Sequence, residues 1–465
     1  MKEYVPLITV YITNYNYELF INQSIESVLK QTFQDFELLI IDDGSTDGSK
    51  EIIEQYRGKD NITIIFQKNK GLNITNNVAM RVAKGKYLMR LDADDFLEPN
   101  ALEMMVSVLE KDDELGLVFP DYFYIDALGN KIGKKKRHNF DKEVSLYDQP
   151  AHGACTLIRL EFLKKLGGYN ESFTCQDGYD LWIKFVTHFK VTNINQPLFS
   201  YRMHGNNLTA NEDRILSTRQ KIKDAFVRQH FNTPDTLAII PIRNFSLNGI
   251  NWPTHQFNGS TIIKEKIKVC LNAKRIQHLV VTSSDQDILT YCSKEFNEDS
   301  RVSILERPKF FESPNQSLAN TIDFCINFFQ KEKINFENIL TVALEYPFLK
   351  PETIDEAIDT LVLFKADSVI TVRPDNSTFY KHVGSGMIPI LDQEKFTRLE
   401  RDALYKGTGG IMLTRINQFK KTKLSASGQV AHVVVDKRSA FEVKNEFDLK
   451  VFESLMNFQK NQNLS

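Results

Sequence analysis

Apolar and polar positions in the first hundred residues switch regularly between a strand period and a helix period. Residues 7–13, Leu-Ile-Thr-Val-Tyr-Ile-Thr, are β-branched and apolar and are broken by Asn14-Tyr-Asn-Tyr17, which predicts a strand and then a loop. Over residues 18–31, Ile21, Ile25, Val28 and Leu29 recur at helical spacing and make one apolar face. Phe36-Glu-Leu-Leu-Ile-Ile41 predicts a second strand, closed by Asp42-Asp43-Gly-Ser-Thr-Asp-Gly48. Ile52, Ile53 and Tyr56 mark a helix, Ile62-Thr-Ile-Ile-Phe66 a third strand, and Lys70-Gly71 a loop into a helix over residues 73–84. A fourth strand, Tyr87-Leu-Met-Arg-Leu-Asp92, runs out into Ala-Asp94-Asp95 and is closed by Pro99. Such alternation implies a mainly parallel sheet with helices on both faces.

Beyond residue 100 the pattern loosens. Leu117-Val-Phe-Pro120 and Tyr122-Phe-Tyr-Ile125 predict two short strands, and Glu161–Leu166 a short helix ended by Gly167-Gly168. A helix over Asp177–His188 turns Leu181, Trp182, Phe185 and Val186 inward, and a charged amphipathic helix covers roughly 210–230. Thr233-Pro234-Asp235 is the best boundary, giving domains 1–232 and 233–465. After it a second strand–helix alternation begins, with strands at 237–242, 279–282, 339–343 and 368–372. The expected class is therefore α/β, with two Rossmann-like nucleotide-binding domains. A chain of 465 residues is too long for one ordinary core, which agrees with two domains.

Composition changes the picture only by exclusion. A net charge of −2 gives no reason to expect nucleic acid as a partner. The five cysteines, Cys155, Cys175, Cys270, Cys292 and Cys325, are scattered and form no Cys-x-x-Cys pair, which points to a reducing cytoplasm and away from structural zinc. The N-terminus lacks the apolar core of a signal peptide, and no apolar run is long enough to span a bilayer, so membrane contact is expected to be peripheral. The basic cluster Lys134-Lys-Lys-Arg137 follows a hairpin tip at Ala127–Asn130 and reads as a solvated turn rather than a lipid contact.

The chemistry gathers at one sheet edge. Thr13–Asn16 follows the first strand, Asp42-Asp43 the second and Asp92-Ala-Asp94 the fourth, so the polar ends of neighbouring parallel strands meet at one crevice. Clustered carboxylates repel unless a cation lies between them, and oxygen donors favour magnesium or manganese. A nucleotide-sugar uses such an edge well: an aromatic for the base, a carboxylate for its N–H, a metal for the diphosphate. No Gly-x-x-x-x-Gly-Lys-Ser/Thr is present and no Gly-x-Gly-x-x-Gly follows the first strand, which weakens ATPase and dehydrogenase readings.

Residues 6–209 resemble an inverting family-two glycosyltransferase with the GT-A fold. The resemblance rests on the ordered series Val10-Tyr-Ile-Thr-Asn-Tyr-Asn16, Gln31-Thr-Phe-Gln-Asp-Phe36, Ile41-Asp-Asp-Gly-Ser-Thr-Asp-Gly48, Asn69-Lys-Gly71, Ala83–Asp95, Gly167-Gly-Tyr169, Cys175-Gln-Asp-Gly-Tyr-Asp-Leu-Trp182 and Tyr201-Arg-Met-His-Gly205. It implies that Thr13 and Tyr15 line the base pocket, Asp43 bonds the base, Asp92 approaches the ribose and Asp94 ligates the metal. Asp177 is implied as general base. His204 is implied as a metal or diphosphate contact, with an ordinary surface histidine as the alternative. Tyr15 alternatively packs on the sheet edge. A helix N-cap is the alternative for Asp177, and a packing role is favoured for Asp180. His152 reads as a structural turn sooner than an acceptor contact.

Residues 236–458 resemble a cytidylyltransferase of the kind that activates acidic sugars as CMP-sugars. The matching pieces are Ile239-Ile-Pro-Ile-Arg243-Asn-Phe-Ser246, Leu279–Asp285, Leu344–Lys350, Lys406–Gly410 and Phe441-Glu442-Val-Lys444-Asn-Glu-Phe-Asp448. Arg243, Ser246 and Glu442 are the nucleotide contacts this implies. The basic residue expected after Ser246 is absent, and Lys444 stands where a metal-binding aspartate is expected. A fixed positive charge repels a cation, so a non-catalytic domain is favoured over a bifunctional enzyme that consumes CTP. The whole chain is thus expected to be a metal-dependent (Mn2+ or Mg2+) inverting glycosyltransferase. It would move sugar from a nucleotide-sugar, UDP by default, to a glycan or lipid-linked saccharide, with homodimerisation through the C-terminal domain. A sugar-nucleotide-binding scaffold without turnover is the non-enzyme alternative.

Overall fold

A computed structural model describes residues 5–136, 145–147, 152–204, 211–243, 245–247, 249–296, 298–312, 316–375, 377–390 and 404–462. It divides into two compact units, residues 1–219 with 378–402 and residues 220–377 with 403–465.

The first unit begins with β1 (Ile8–Asn14), α1 (Ile21–Leu29), β2 (Phe36–Asp42), α2 (Ser49–Glu54), β3 (Ile62–Phe66), α3 (Leu72–Val82) and β4 (Tyr87–Asp92). β5 (Phe96–Leu97), α4 (Ala101–Leu109), β6 (Leu115–Ile125), β7 (Lys131–Lys135), β8 (Leu157–Arg159), α5 (Leu160–Lys165), α6 (Asp177–His188) and β9 (Lys190–Arg202) follow. The nine strands form one sheet in the order β3-β2-β1-β4-β8-β6-β9-β5, with β7 paired to β6. The β3–β2–β1–β4 half is parallel, and β8 then runs antiparallel to both β4 and β6.

Period-two alternation gives this sheet two buried faces, as a covered parallel sheet requires. Val10, Ile12, Leu38, Ile40, Met89 and Leu91 belong to one cluster with α1 and α4. Tyr11, Leu39, Ile41 and Leu88 belong to the other, with Trp182 and Phe185 of α6. Arg90 lies on the second face, two residues after Leu88, in a strand otherwise apolar until its last residue.

The fold corrects three expectations. The two short strands expected at 117–125 are one strand, β6, whose interruptions at Pro120 and Asp121 are absorbed as register shifts against β9. Lys134 and Lys135 lie on β7 and not in a turn, and Arg137 lies outside the described residues. The sheet is mixed rather than mainly parallel, because β8 enters between β4 and β6.

α7 (Glu212–His230) leads into the second unit. The units divide within α7, ahead of Thr233-Pro234-Asp235, and the later part of the helix has its own buried partners: Lys223 Nζ lies 2.6 Å from Glu356 and donates to Thr360 Oγ1 at 3.0 Å. The second unit continues with β10 (Thr236–Pro241), two small hairpins, β11/β12 (Ser246–Leu247, Ile250–Asn251) and β13/β14 (Gln256–Phe257, Ser260–Thr261), and α8 (Ile262–Asn272). Then come β15 (His278–Ser283), α9 (Gln286–Phe296), β16 (Val302–Glu306), α10 (Leu318–Lys331), β17 (Asn338–Val342), α11 (Pro351–Leu363) and β18 (Ser368–Asp375). After a hairpin that groups with the first unit, β19 (Tyr380–His382) with β20 (Met387–Pro389), the second unit resumes with β21 (Leu404–Arg415), α12 (Ile416–Thr422), β22 (Val430–Val434) and α13 (Glu446–Gln462). The seven-stranded sheet runs β16-β15-β10-β17-β21-β18-β22, with β21 antiparallel to both neighbours.

All five cysteines are buried as free thiols, Cys155 and Cys175 in the first unit and Cys270, Cys292 and Cys325 in the second. Among the described residues no helix is long and apolar enough to cross a membrane.

Candidate active site

Register places the acids. Thr13 pairs with Asp92 across β1–β4, and Asn14 with Asp42 across β1–β2, so three strand ends stop level with one another. Thr13 Oγ1 donates to Asp92 Oδ1 at 3.3 Å. Asp42 is taken up in the loop itself, accepting from Asn14 Nδ2 at 2.7 Å and the Ser45 amide at 3.0 Å. Asp43 clamps the loop before α3: Oδ1 accepts from Gln67 Nε2 (2.7 Å) and the Lys70 amide (2.9 Å), and Oδ2 from the Gly71 amide (2.8 Å). Tyr15 sits at the rim, 45% exposed.

The turn after β4 carries three carboxylates within four residues. Asp94 and Asp95 are buried, and burial together with Asp94 and Asp177 pushes the Asp92 carboxyl up to about 6 against the opposing pull of Arg90. Burial likewise raises Asp95 well above the ordinary carboxylate range, and its Oδ1 accepts the Arg202 amide at 2.9 Å. Arg202, at the end of β9, ties the turn down by donating Nε to the Asp94 carbonyl (2.8 Å) and Nη2 to Gln23 Oε1 (2.6 Å). Two residues on, His204 Nε2 lies 2.9 Å from Asp94 Oδ2. Its ring stacks on Phe20 (5.9 Å) and meets Tyr17 edge-on (5.8 Å), so packing fixes its direction.

Asp177 opens α6 as its first helical residue. The N-cap is Gln176, in the left-handed region at φ 62°, and no side chain caps it, so Asp177 is not the cap. Its Oδ2 accepts instead from Arg90 Nη1. Asp180 pairs with Lys184 at 2.7 Å, and Lys184 also donates to the Gly168 carbonyl at 3.0 Å, which ties α6 to the segment that precedes it. The loop before α6 hangs on α3: Asn77 Nδ2 donates to the Tyr169 carbonyl (2.9 Å) and Glu171 Oε1 (2.8 Å), and its Oδ1 accepts the Tyr169 amide (2.9 Å). His152 packs among Tyr122, Phe199 and Tyr201 and accepts the Ala154 amide, which is the turn role.

Direct contacts thus join Thr13 to Asp92 and Asp94 to His204, and Arg90 joins Asp92 to Asp177. The sequence reading missed Arg90, Arg202 and Tyr17. Arg90 had a visible signal, since a charged side chain inside a buried strand is rare unless paired.

Asp94 and His204 are the side chains at this edge that would hold a divalent metal. Among the described residues no three His, Cys, Asp or Glu side chains form a ready cage. Asp94 Oδ2 and His204 Nε2 nevertheless point at one another, and magnesium or manganese beside a diphosphate takes few protein donors and fills the rest with phosphate and water.

In the second unit Arg243 and Ser246 are exposed on the segment leaving β10. Beneath them Arg307 is buried and donates to the Thr282 carbonyl (2.6 Å) and the Ile242 carbonyl (2.8 Å). Glu442 is paired with Lys444 at 2.8 Å.

A parallel α/β half-sheet tipped with carboxylates, packed against a helix that begins with another, is the frame on which the family comparison can be placed. The model of glycosyl transferase family 2 matches residues 9–167. An uncharacterized glycosyltransferase of Methanocaldococcus jannaschii is 34% identical over 229 residues, covering 47% of this chain and 76% of that protein. The chain belongs to glycosyl transferase family 2. The chondroitin synthase of Escherichia coli is 33% identical over 204 residues, 44% of this chain, and the match spans only 30% of that longer protein. Among solved structures, S. aureus TarS residues 1–349 aligns over 48% of this chain and 66% of that one, with 18% identity and a TM-score of 0.41.

Proposed function

We propose that the first unit transfers a sugar from a nucleotide-sugar, with UDP as the default nucleotide, to a growing glycan or lipid-linked saccharide, inverting the anomeric carbon. The observation that carries this reading is the contact chain Asp92–Arg90–Asp177, with Asp94 two residues beyond Asp92 on the same turn, which supports a diphosphate-side acid and a base acting on one substrate. Thr13 and Tyr15 border the base of the nucleotide, Asp43 shapes its pocket and Asp92 meets the ribose. Asp94 and His204 would hold a manganese or magnesium ion, which supplies positive charge to the departing diphosphate. Asp177 takes the proton of the acceptor hydroxyl as that oxygen bonds to C1. The electron pair of the broken C1–O bond leaves with the nucleoside diphosphate.

The second unit is proposed to be a non-catalytic relative of the cytidylyltransferases. Lys444 beside Glu442 neutralises the lone carboxylate that a CTP-bound metal would need, which weighs against a bifunctional enzyme. The domain boundary is taken at 232/233. Self-association through the C-terminal half is part of the reading, from its resemblance to the cytidylyltransferases. The five free thiols suit a cytoplasmic setting, at the inner membrane face if peripheral.

The test is a melting-temperature screen of nucleotides and nucleotide-sugars with and without manganese, followed by assay of nucleotide release. A nucleotide-sugar should raise the melting temperature only with metal, and release should depend on acceptor. Pyrophosphate release from CTP and an acidic sugar would instead establish the bifunctional reading. Binding without release would establish the scaffold.

A further inference from the structure

We propose that Arg90 is a positioning residue for the transfer step, holding Asp177 in register with the donor-side acid Asp92; the inference rests on the reading of Asp177 as general base. Strand alternation delivers Arg90 to the face covered by α6, where it is 5% exposed. A guanidinium there loses its hydration and must be repaid by partners. Its partners are two acids of the site: Nη1 donates to Asp177 Oδ2, and Asp92 is held as an ion pair, with Nε 2.9 Å from Oδ1 outside hydrogen-bond geometry and Nη2 donating to Oδ2 at 3.5 Å. Burial alone would lower the guanidinium pKa, and Asp177 and Asp92 reverse that.

A third segment is shaped around the pair. A Cβ built on Gly153 would lie 2.8 Å from Arg90 Nη2 and 2.8 Å from Asp177 Oδ2, so a larger residue there would displace one partner or the other. The next turn is fastened to the same strand, the Cys155 amide donating to the Arg90 carbonyl at 2.7 Å. An ion pair that served stability alone would not need to join the acid ending β4 to the acid opening α6. Arginine suits the task because its planar fork fixes direction toward two carboxylates, which a lysine point charge does not. With Oδ2 held by Arg90, Oδ1 is the oxygen left to meet the acceptor hydroxyl.

The experiment measures UDP release from a panel of UDP-hexoses in manganese, with water and with oligosaccharides as acceptors, for Arg90→Met, Arg90→Lys, Gly153→Ala, Asp177→Asn and Arg90→Met/Asp177→Asn in the full chain. Arg90→Met should lower kcat about 100-fold with donor KM changed less than about threefold, as expected when a reacting group is misplaced. Arg90→Lys should recover part of the loss, and Gly153→Ala should lower kcat through the same pair. In the Asp177→Asn background Arg90→Met should cost nothing further, because the two act as a unit. Additive losses in the double variant, or a loss confined to KM, would overturn the positioning role while leaving the base assignment intact. Wild-type turnover by Asp177→Asn would overturn the base assignment and this inference with it. Should Arg90→Met fail to fold, the lysine and alanine variants decide the matter.

Discussion

His204 Nε2 lies 2.9 Å from Asp94 Oδ2, although 110 residues of chain separate them. The contact joins the segment after β9 to the turn after β4, and the proposed function assigns a cation to these two side chains. Asp94→Ala is expected to lower metal-dependent transfer at least about 100-fold, the scale of losing one charge-stabilising group. His204→Ala is expected to cost about tenfold and to raise the manganese concentration for half-maximal rate. Chelator removal and metal titration of nucleotide release check both.

Asp177→Asn keeps shape but cannot accept a proton usefully. A fall in kcat of about 10²–10⁴ with little change in donor KM is expected for loss of a general base. Steady-state kinetics on the two substrates separately would show it, and a change confined to acceptor KM would count against proton transfer.

Lys266 on α8 is buried, and its Nζ donates to the Tyr346 carbonyl at 2.5 Å. Burial lowers its pKa from 10.5 to about 8. Between those values the unfolded chain holds a proton that the folded chain does not, so this group makes stability rise with pH across that window. Below pH 8 the buried ammonium is a cost. Lys266→Met should therefore be more stable than wild type at pH 7, by about 2 kcal/mol after allowing for the lost hydrogen bond. The advantage should vanish by pH 10, which thermal unfolding of both proteins at the two pH values can test.

Asn77 makes three hydrogen bonds to the segment ahead of α6 and is buried. Asn77→Ala strands the Tyr169 amide and carbonyl, at a cost of about 2 kcal/mol. Because that segment leads to Asp177, a melting-temperature drop should come with reduced turnover. A stability loss with normal turnover would show that α6 is held elsewhere.

What could be read in the sequence was whatever depends on neighbours along the chain. Asp92 and Asp94 stood out because an apolar strand ended in acids, and β1, β2 and β4 were visible as runs of the right length. Longer-range features were hidden. β9 has thirteen residues, but Asn193, Asn195 and Gln196 spoil its apolar alternation. β6 looked like two strands because Pro120 and Asp121 interrupt it, and only pairing to β9 makes it continuous. Arg90 meets its partner 87 residues away, a distance no local pattern encodes. The motif order named His204 and Asp177, and three-dimensional packing alone supplied the cation between the acids.

The buried thiols carry one last consequence. Desolvation pushes the Cys270, Cys292 and Cys325 thiols up to about 12 and Cys155 well above its ordinary range, so little thiolate exists at neutral pH. Alkylation must then wait for opening. Mass-resolved labelling at Cys155 against Cys270, Cys292 and Cys325 would clock the loosening of each half of the chain with no engineered probe.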